Sequence, residues 1–141
     1  MNLRDILRVK GNHVHTISPL ATLADVVRQL VEFNCGSLVV HDGDEMVGII
    51  TERDILRVCA QRTATLNEIL VEECMTSEVI AGLPDDEIEA VMGILTHRRI
   101  RHLPVVDGLQ LVGMISIGDL VKAHHDRLCV ENEYLKHYIY S

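Results

Sequence analysis

Two short segments hold the residues best suited to chemistry: Gly48-Ile49-Ile50-Thr51-Glu52-Arg53-Asp54 and Gly113-Met114-Ile115-Ser116-Ile117-Gly118-Asp119. Each ends a β-branched run with a hydroxyl residue three positions before an aspartate. A strand that delivers a hydroxyl residue to a helix N-terminus leaves backbone N–H groups facing outward, which suits an anion. The hydroxyl can donate to a phosphate oxygen, and the carboxylate can accept from two vicinal sugar hydroxyls. A ribose phosphate meets both demands. The same spacing also forms a capping box, in which hydroxyl and acid serve only the helix's own amides. For a single copy the box is the simpler account. Glycine, hydroxyl and aspartate recur at identical spacing in both segments, which favours a ligand.

The recurrence extends well beyond these motifs. Gly113 follows Gly48 by 65 residues, and at that offset the match runs without a gap from Val14 to Arg57. Pro19 meets Pro84, Val26 meets Val91, Leu30 meets Leu95, and Asp42-Gly43 meets Asp107-Gly108. Upstream, Leu3-Arg4-Asp5-Ile6-Leu7 resembles Val71-Glu72-Glu73-Cys74-Met75 at an offset of 68, so the first copy has three extra residues around Lys10-Gly11-Asn12. The chain is a duplication, with a first repeat over 1–60, a linker over 61–70, a second repeat over 71–123 and a helical tail over 124–141.

Each copy reads as β-α-β-β-α, an α/β (α+β) fold. Thr22 is the expected N-cap of a helix whose apolar stripe is Leu23, Val26, Val27, Leu30 and Phe33. In the second copy Asp85 or Asp86 takes the cap, before Ile88, Val91, Met92 and Leu95. Two β-branched runs follow in each copy, Ser37–His41 with Met46–Thr51 and His102–Val106 with Leu111–Ser116, each pair joined through Asp-Gly. Pro104 inside a strand predicts an edge position or an interrupted ladder. A helix then starts at Thr51 or Ser116, and Asp119 to Tyr138 reads as one long terminal helix. Neither copy has enough core alone, so the two are expected to pack as one pseudo-symmetric module.

Bulk properties narrow the partners. The 141 residues carry a formal charge of −8, with 48% hydrophobic and 24% charged residues. Such a balance argues against nucleic acid or an anionic membrane. No apolar run approaches the roughly 18 residues of a spanning helix, and the N-terminal residues lack a signal-peptide layout. Cys35, Cys59, Cys74 and Cys129 show neither disulfide nor metal spacing and read as reduced thiols of a cytoplasmic protein. His13/His15 and His124-His125 lack a four-ligand set, so no metal is expected. No nucleophile–base pair stands out, so the expectation is a protein that is not an enzyme.

The segments Gly-Ile-Ile-Thr-Glu-Arg-Asp-Ile-Leu (48–56) and Arg-His-Leu-Pro-Val-Val-Asp (101–107) resemble the hallmarks of CBS domains, named for cystathionine β-synthase. Two in tandem look like the adenosyl-ligand-sensing pair called a Bateman module, and Lys10-Gly11 with Glu131–Leu135 resembles stand-alone bacterial members. The resemblance implies that Asp54 and Asp119 take ribose hydroxyls and that Thr51 and Ser116 take phosphate. Arg53 fits the first motif, whereas the second has Ile117-Gly118 in place of Glu52-Arg53. Main-chain groups near Thr16-Ile17 and Ala81-Gly82 would line an adenine pocket. AMP is the expected ligand, with ATP, ADP or NAD(H) as further adenine nucleotides and no catalytic cofactor. Alternatives are an NAD(H)- or S-adenosylmethionine-binding regulator, and a nucleotide-independent dimeric scaffold. A homodimer and a regulated protein partner are implied as well.

Basic residues differ between the copies. Arg98, Arg99, Arg101 and His102 precede the second copy's strand, where the first has Phe33, Asn34, Gly36 and Ser37. Arginine suits phosphate through its forked donors. By the resemblance, a nucleotide on Asp54 meets Arg101 and Arg99, whereas one on Asp119 meets Phe33, Asn34 and Ser37, which offer no cation.

Overall fold

In the computed structural model, which describes residues 1–140, the apolar periodicities become a mixed α/β chain. In order it runs α1 (Leu3–Lys10), β1 (Thr16–Ile17), α2 (Leu23–Phe33), β2 (Ser37–Asp42), β3 (Glu45–Thr51), α3 (Glu52–Gln61) and α4 (Val71–Cys74). The second copy continues with α5 (Ile88–Arg98), β4 (His102–Asp107), β5 (Gln110–Ser116) and α6 (Ile117–Tyr140). Two compact units result, one of Val14–Ile80 and one of Met1–His13 with the chain from Ala81 onward.

The units exchange the leading segments of the sequence repeats. The Leu3 and Arg4 N–H groups donate to the Asp86 and Pro84 carbonyls at 3.1 and 2.9 Å, which ties α1 to the second copy. Conversely, the Leu23 N–H donates to Ile69, and the Val71 N–H to Ala21, at 2.9 and 2.8 Å, which ties the run into α4 to the first copy.

The first unit's sheet has the order β1-β2-β3, with β1 parallel and β3 antiparallel to β2. Its core joins Leu23, Val26 and Leu30 of α2 to Leu38, Val40 and Ile50 of the sheet and to Ile55 and Val58 of α3. Each such side chain, fully buried, contributes about 1.5–3 kcal/mol. The β2–β3 and β4–β5 hairpins turn at Gly43 and Gly108, whose φ angles of +65° and +63° suit glycine.

The second unit's sheet is narrower, for a reason visible in one residue. The Val39 N–H of β2 donates to the His15 carbonyl at 3.1 Å, which seats β1. Pro104, 65 residues on, has no N–H to donate. The segment equivalent to β1 is therefore reduced to one parallel bridge, Gly82 to Val105. The Gly82 N–H reaches the Pro104 carbonyl at 2.8 Å. Pro104 interrupts the ladder, as its place in a strand predicts.

The helix caps also diverge. Thr22 caps α2 in a full capping box with Asp25, as expected. The expectation of Asp85 or Asp86 at the start of α5 is not met: Glu87 precedes the helix and no side chain caps it. The Asp86 carboxylate instead accepts the Leu83 N–H at 2.8 Å, and the Ile88 N–H donates to the Met1 carbonyl at 3.1 Å. A distant chain segment thus satisfies an amide that a local side chain would otherwise serve. The four cysteines are free thiols. Among the described residues, no helix is long and apolar enough to cross a membrane.

Candidate functional site

Both strand-to-helix junctions form the hydroxyl–carboxylate pair that the sequence predicts. At the end of β3, Thr51 is the N-cap of α3, and its N–H and hydroxyl donate to Asp54 Oδ2 at 3.0 and 3.2 Å. The Asp54 N–H returns to Thr51 Oγ1 at 3.4 Å. At the end of β5, the Ser116 N–H donates to Asp119 Oδ2 at 2.8 Å, and the Asp119 N–H to Ser116 Oγ at 3.1 Å. Each is a capping box, so the helix ends are satisfied locally.

The boxes differ in burial and in neighbours. Asp54 is 6% exposed. Its Oδ1 faces the Thr76 hydroxyl at 3.5 Å and the Arg57 guanidinium at 3.8 Å. Asp119 is half-buried, and Lys10 Nζ donates both to its Oδ2 and to the Met114 carbonyl at 2.7 Å. Partial burial pushes the Asp119 carboxyl up, but hydrogen bonds from Lys10 and Ser116 outweigh it and hold the group below the ordinary carboxylate value.

Lys10 corrects the sequence-based picture of a second site without a cation: the charge comes from α1, within the same compact unit. The signal available in the sequence is the three-residue surplus around Lys10-Gly11-Asn12, which reads there as a break in register and as part of the family resemblance, not as a source of charge for Asp119. Thr76 likewise stands in no motif of the sequence.

The remaining predicted residues fall into two groups. Thr16 and Ile17 pair with Val39 and Val40 in the first unit, where they border an open concavity of about 560 Å³ with Asp25, Arg28 and His41. Thr51 and Asp54 are not part of its lining. Arg53 lies exposed in the first turn of α3. In the second unit His102 is the register partner of Ser116, and the Arg101 carbonyl accepts the Ile117 N–H at 2.8 Å. Arg101 and His102 therefore lie beside the Ser116–Asp119 box. Arg99 closes α5 in the left-handed region at φ +55°, and Ala81-Gly82 lies at the single bridge to β4. Among the described residues, no cluster of three or more His, Cys, Asp or Glu could hold a metal.

A duplicated β-α-β-β-α unit with one hydroxyl–carboxylate box in each copy agrees with the comparisons to known proteins. The CBS domain family model matches residues 3–61 and again 71–126. A mitochondrial CBS domain-containing protein of Arabidopsis thaliana is 36% identical over 124 residues, 82% of this chain and 60% of the plant protein. The chain thus spans less than two thirds of that relative's length. The crystal structure of a CBS-domain protein from Agrobacterium tumefaciens superposes with a TM-score of 0.86 at 34% identity, covering 88% of this chain and 99% of that one. The CBS domain pair of protein MJ0100, solved with 5′-methylthioadenosine and S-adenosylmethionine, superposes with a TM-score of 0.79 at 26% identity, covering 90% and 98%. The chain belongs to the CBS-domain family and carries two of these domains in tandem.

Proposed function

We propose that this protein is a regulatory adenine-nucleotide sensor without catalytic activity, with AMP as its principal ligand. The observation that carries the reading is the recurrence of one hydroxyl–carboxylate box at the same strand-to-helix junction in both units. Ribose hydroxyls sit on Asp54 and Asp119, and phosphate meets the hydroxyls of Thr51 and Ser116. Main-chain groups at Thr16-Ile17 and Ala81-Gly82 receive adenine. Arg53, Arg99, Arg101 and His102 are the side chains offered to phosphate charge. The adenosyl compounds held by the MJ0100 pair support the same ligand class. The protein is proposed to act in the cytoplasm as a homodimer that signals to a regulated protein. Exposed apolar residues such as Val31 on α2, Leu56 on α3 and Ile94 on α5 support self-association.

The test is a calorimetric and thermal-shift screen of AMP, ADP, ATP, NAD, NADH and S-adenosylmethionine. A ligand held at a hundredfold excess over Kd raises stability by about 2.7 kcal/mol, and AMP is expected to do so and to be recovered unchanged. Light scattering is expected to report a dimer at micromolar concentration.

One observation favours a second reading. Asp54 is buried, and its Oδ2 is already engaged by Thr51, as in a box that serves only to start a helix. If no adenosyl compound shifts the melt, the chain is a nucleotide-independent scaffold.

A further inference from the structure

The two boxes are built alike but receive different residues from the segment that leads into each unit. In both, an apolar side chain lies over the strand glycine, from within α1 in one unit and from the residue that follows α4 in the other. A β-carbon on Gly113 would stand 2.6 Å from Leu7 Cδ2, and one on Gly48 would stand 2.8 Å from Met75 Sδ. Leu7 and Met75 are equivalent at the 68-residue offset, so the two paths coincide at this point.

Beyond it they separate. After α4 ends at Cys74, the chain is already extended at Met75 (φ −64°, ψ 154°). Thr76 then pairs with Ile49 of β3, bringing a neutral hydroxyl to Asp54. α1 instead continues past Leu7 to Lys10 and is closed by Gly11 at φ +96°. The three-residue surplus in the first copy is the turn that carries an ammonium to Asp119.

This ammonium changes what the carboxylate can accept. Asp119 Oδ2 already takes the Ser116 N–H at 2.8 Å and Lys10 Nζ at 2.7 Å. The ribose diol of any adenosyl ligand must therefore compete with a cation for this oxygen, in a pair whose side chains are only 36% and 25% exposed. A phosphate on the same ligand is attracted by that cation and offsets the loss. A lysine ammonium has three donors, and two are spent on Asp119 and Met114. The third, with the Ser116 hydroxyl, can engage phosphate oxygens.

We infer that Lys10 determines the specificity of the second unit's box: it admits adenosyl ligands that carry a phosphate and rejects those that do not. At Asp54 the competitors are weaker, the Thr76 hydroxyl at 3.5 Å and the exposed Arg57 guanidinium at 3.8 Å, against 2.7 Å for Lys10 at Asp119, and that box accepts uncharged adenosyl ligands as well as phosphorylated ones. The inference rests on the reading that both boxes hold the ribose phosphate of an adenosyl ligand.

Calorimetric titration of the full chain with AMP and with 5′-methylthioadenosine separates the possibilities. The wild type is expected to take AMP at two sites and methylthioadenosine at one. Lys10→Met should weaken AMP at one site by about tenfold or more, the worth of a charge-assisted hydrogen bond, and should create a second methylthioadenosine site. Lys10→Arg keeps the cation and should retain the wild-type pattern, and Thr76→Lys should abolish the remaining methylthioadenosine site while AMP still binds. Should Lys10→Met not fold, Lys10→Arg and Thr76→Lys still decide the matter. A wild type that takes methylthioadenosine at both boxes overturns the role of Lys10, as does a folded Lys10→Met protein with an unchanged AMP isotherm. Either result leaves the nucleotide reading intact. A wild type that binds neither compound refutes that reading itself.

Discussion

The β-carbon that Gly48 lacks would stand 2.8 Å from the carbonyl oxygen of Thr76. That oxygen is fixed, because it accepts the Ile49 N–H at 3.0 Å while the Thr76 N–H donates back to Ile49 at 2.9 Å. Gly48→Ala must therefore push apart a two-hydrogen-bond bridge, at a cost of about 3 kcal/mol. Gly113 faces only the flexible end of Leu7, and Gly113→Ala should cost about 1 kcal/mol. Urea denaturation of the two variants gives the order, and equal losses would show that the bridge yields as easily as a side chain.

The Lys10–Asp119 pair makes stability depend on pH in a stated direction. The carboxyl is held below the ordinary value in the folded protein, despite the opposing effect of burial. Such a group adds its full stability above the unfolded value near 3.9 and loses it as pH falls through the lower folded value. Lys10→Met should thus be less stable than wild type at pH 7, and the gap should close as pH falls through the lowered folded value. Thermal melts across that range check the sign. A gap that stays constant would mean that Lys10 stabilises the protein by packing alone.

The two central helices should respond differently to loss of their leading residues. Thr22→Ala removes the box that holds the Asp25 N–H at 3.2 Å, at a cost of about 1 kcal/mol. Glu87 makes no side-chain cap and only an exposed ion pair with the Met1 ammonium at 3.4 Å. Glu87→Ala should accordingly change stability by a few tenths of a kcal/mol, about the value of a surface pair. Denaturation midpoints distinguish the two.

Lys10 also changes what the aspartates are expected to contribute. Without a cation near Asp119, Asp54 would dominate nucleotide binding. With Lys10 2.7 Å from Asp119, Asp54→Asn and Asp119→Asn should each weaken AMP at one site, by about 1–3 kcal/mol. Titration of AMP into both isosteric variants measures this, and a loss confined to Asp54→Asn would return the second box to a purely structural role.

Much of this molecule is legible along the chain because the relevant physics is local. Leu23, Val26 and Leu30 lie on one helical face whatever the fold around them, and Thr51 with Asp54 closes a box within one turn of α3. The duplication is equally legible, since glycine, hydroxyl and aspartate recur at one offset. Pro104 announces its broken ladder because an absent N–H is a property of the residue itself. Sequence spacing does not report which distant segments share a unit. α1 heads the first repeat, yet its amides are satisfied by Pro84 and Asp86, and α5 starts against the Met1 carbonyl because Asp86 is already engaged with Leu83. Lys10 and Asp119 lie 109 residues apart, so no periodicity relates them. Only the path of the folded chain, with Leu7 seated over Gly113 and one further helical turn beyond it, brings the ammonium to the carboxylate.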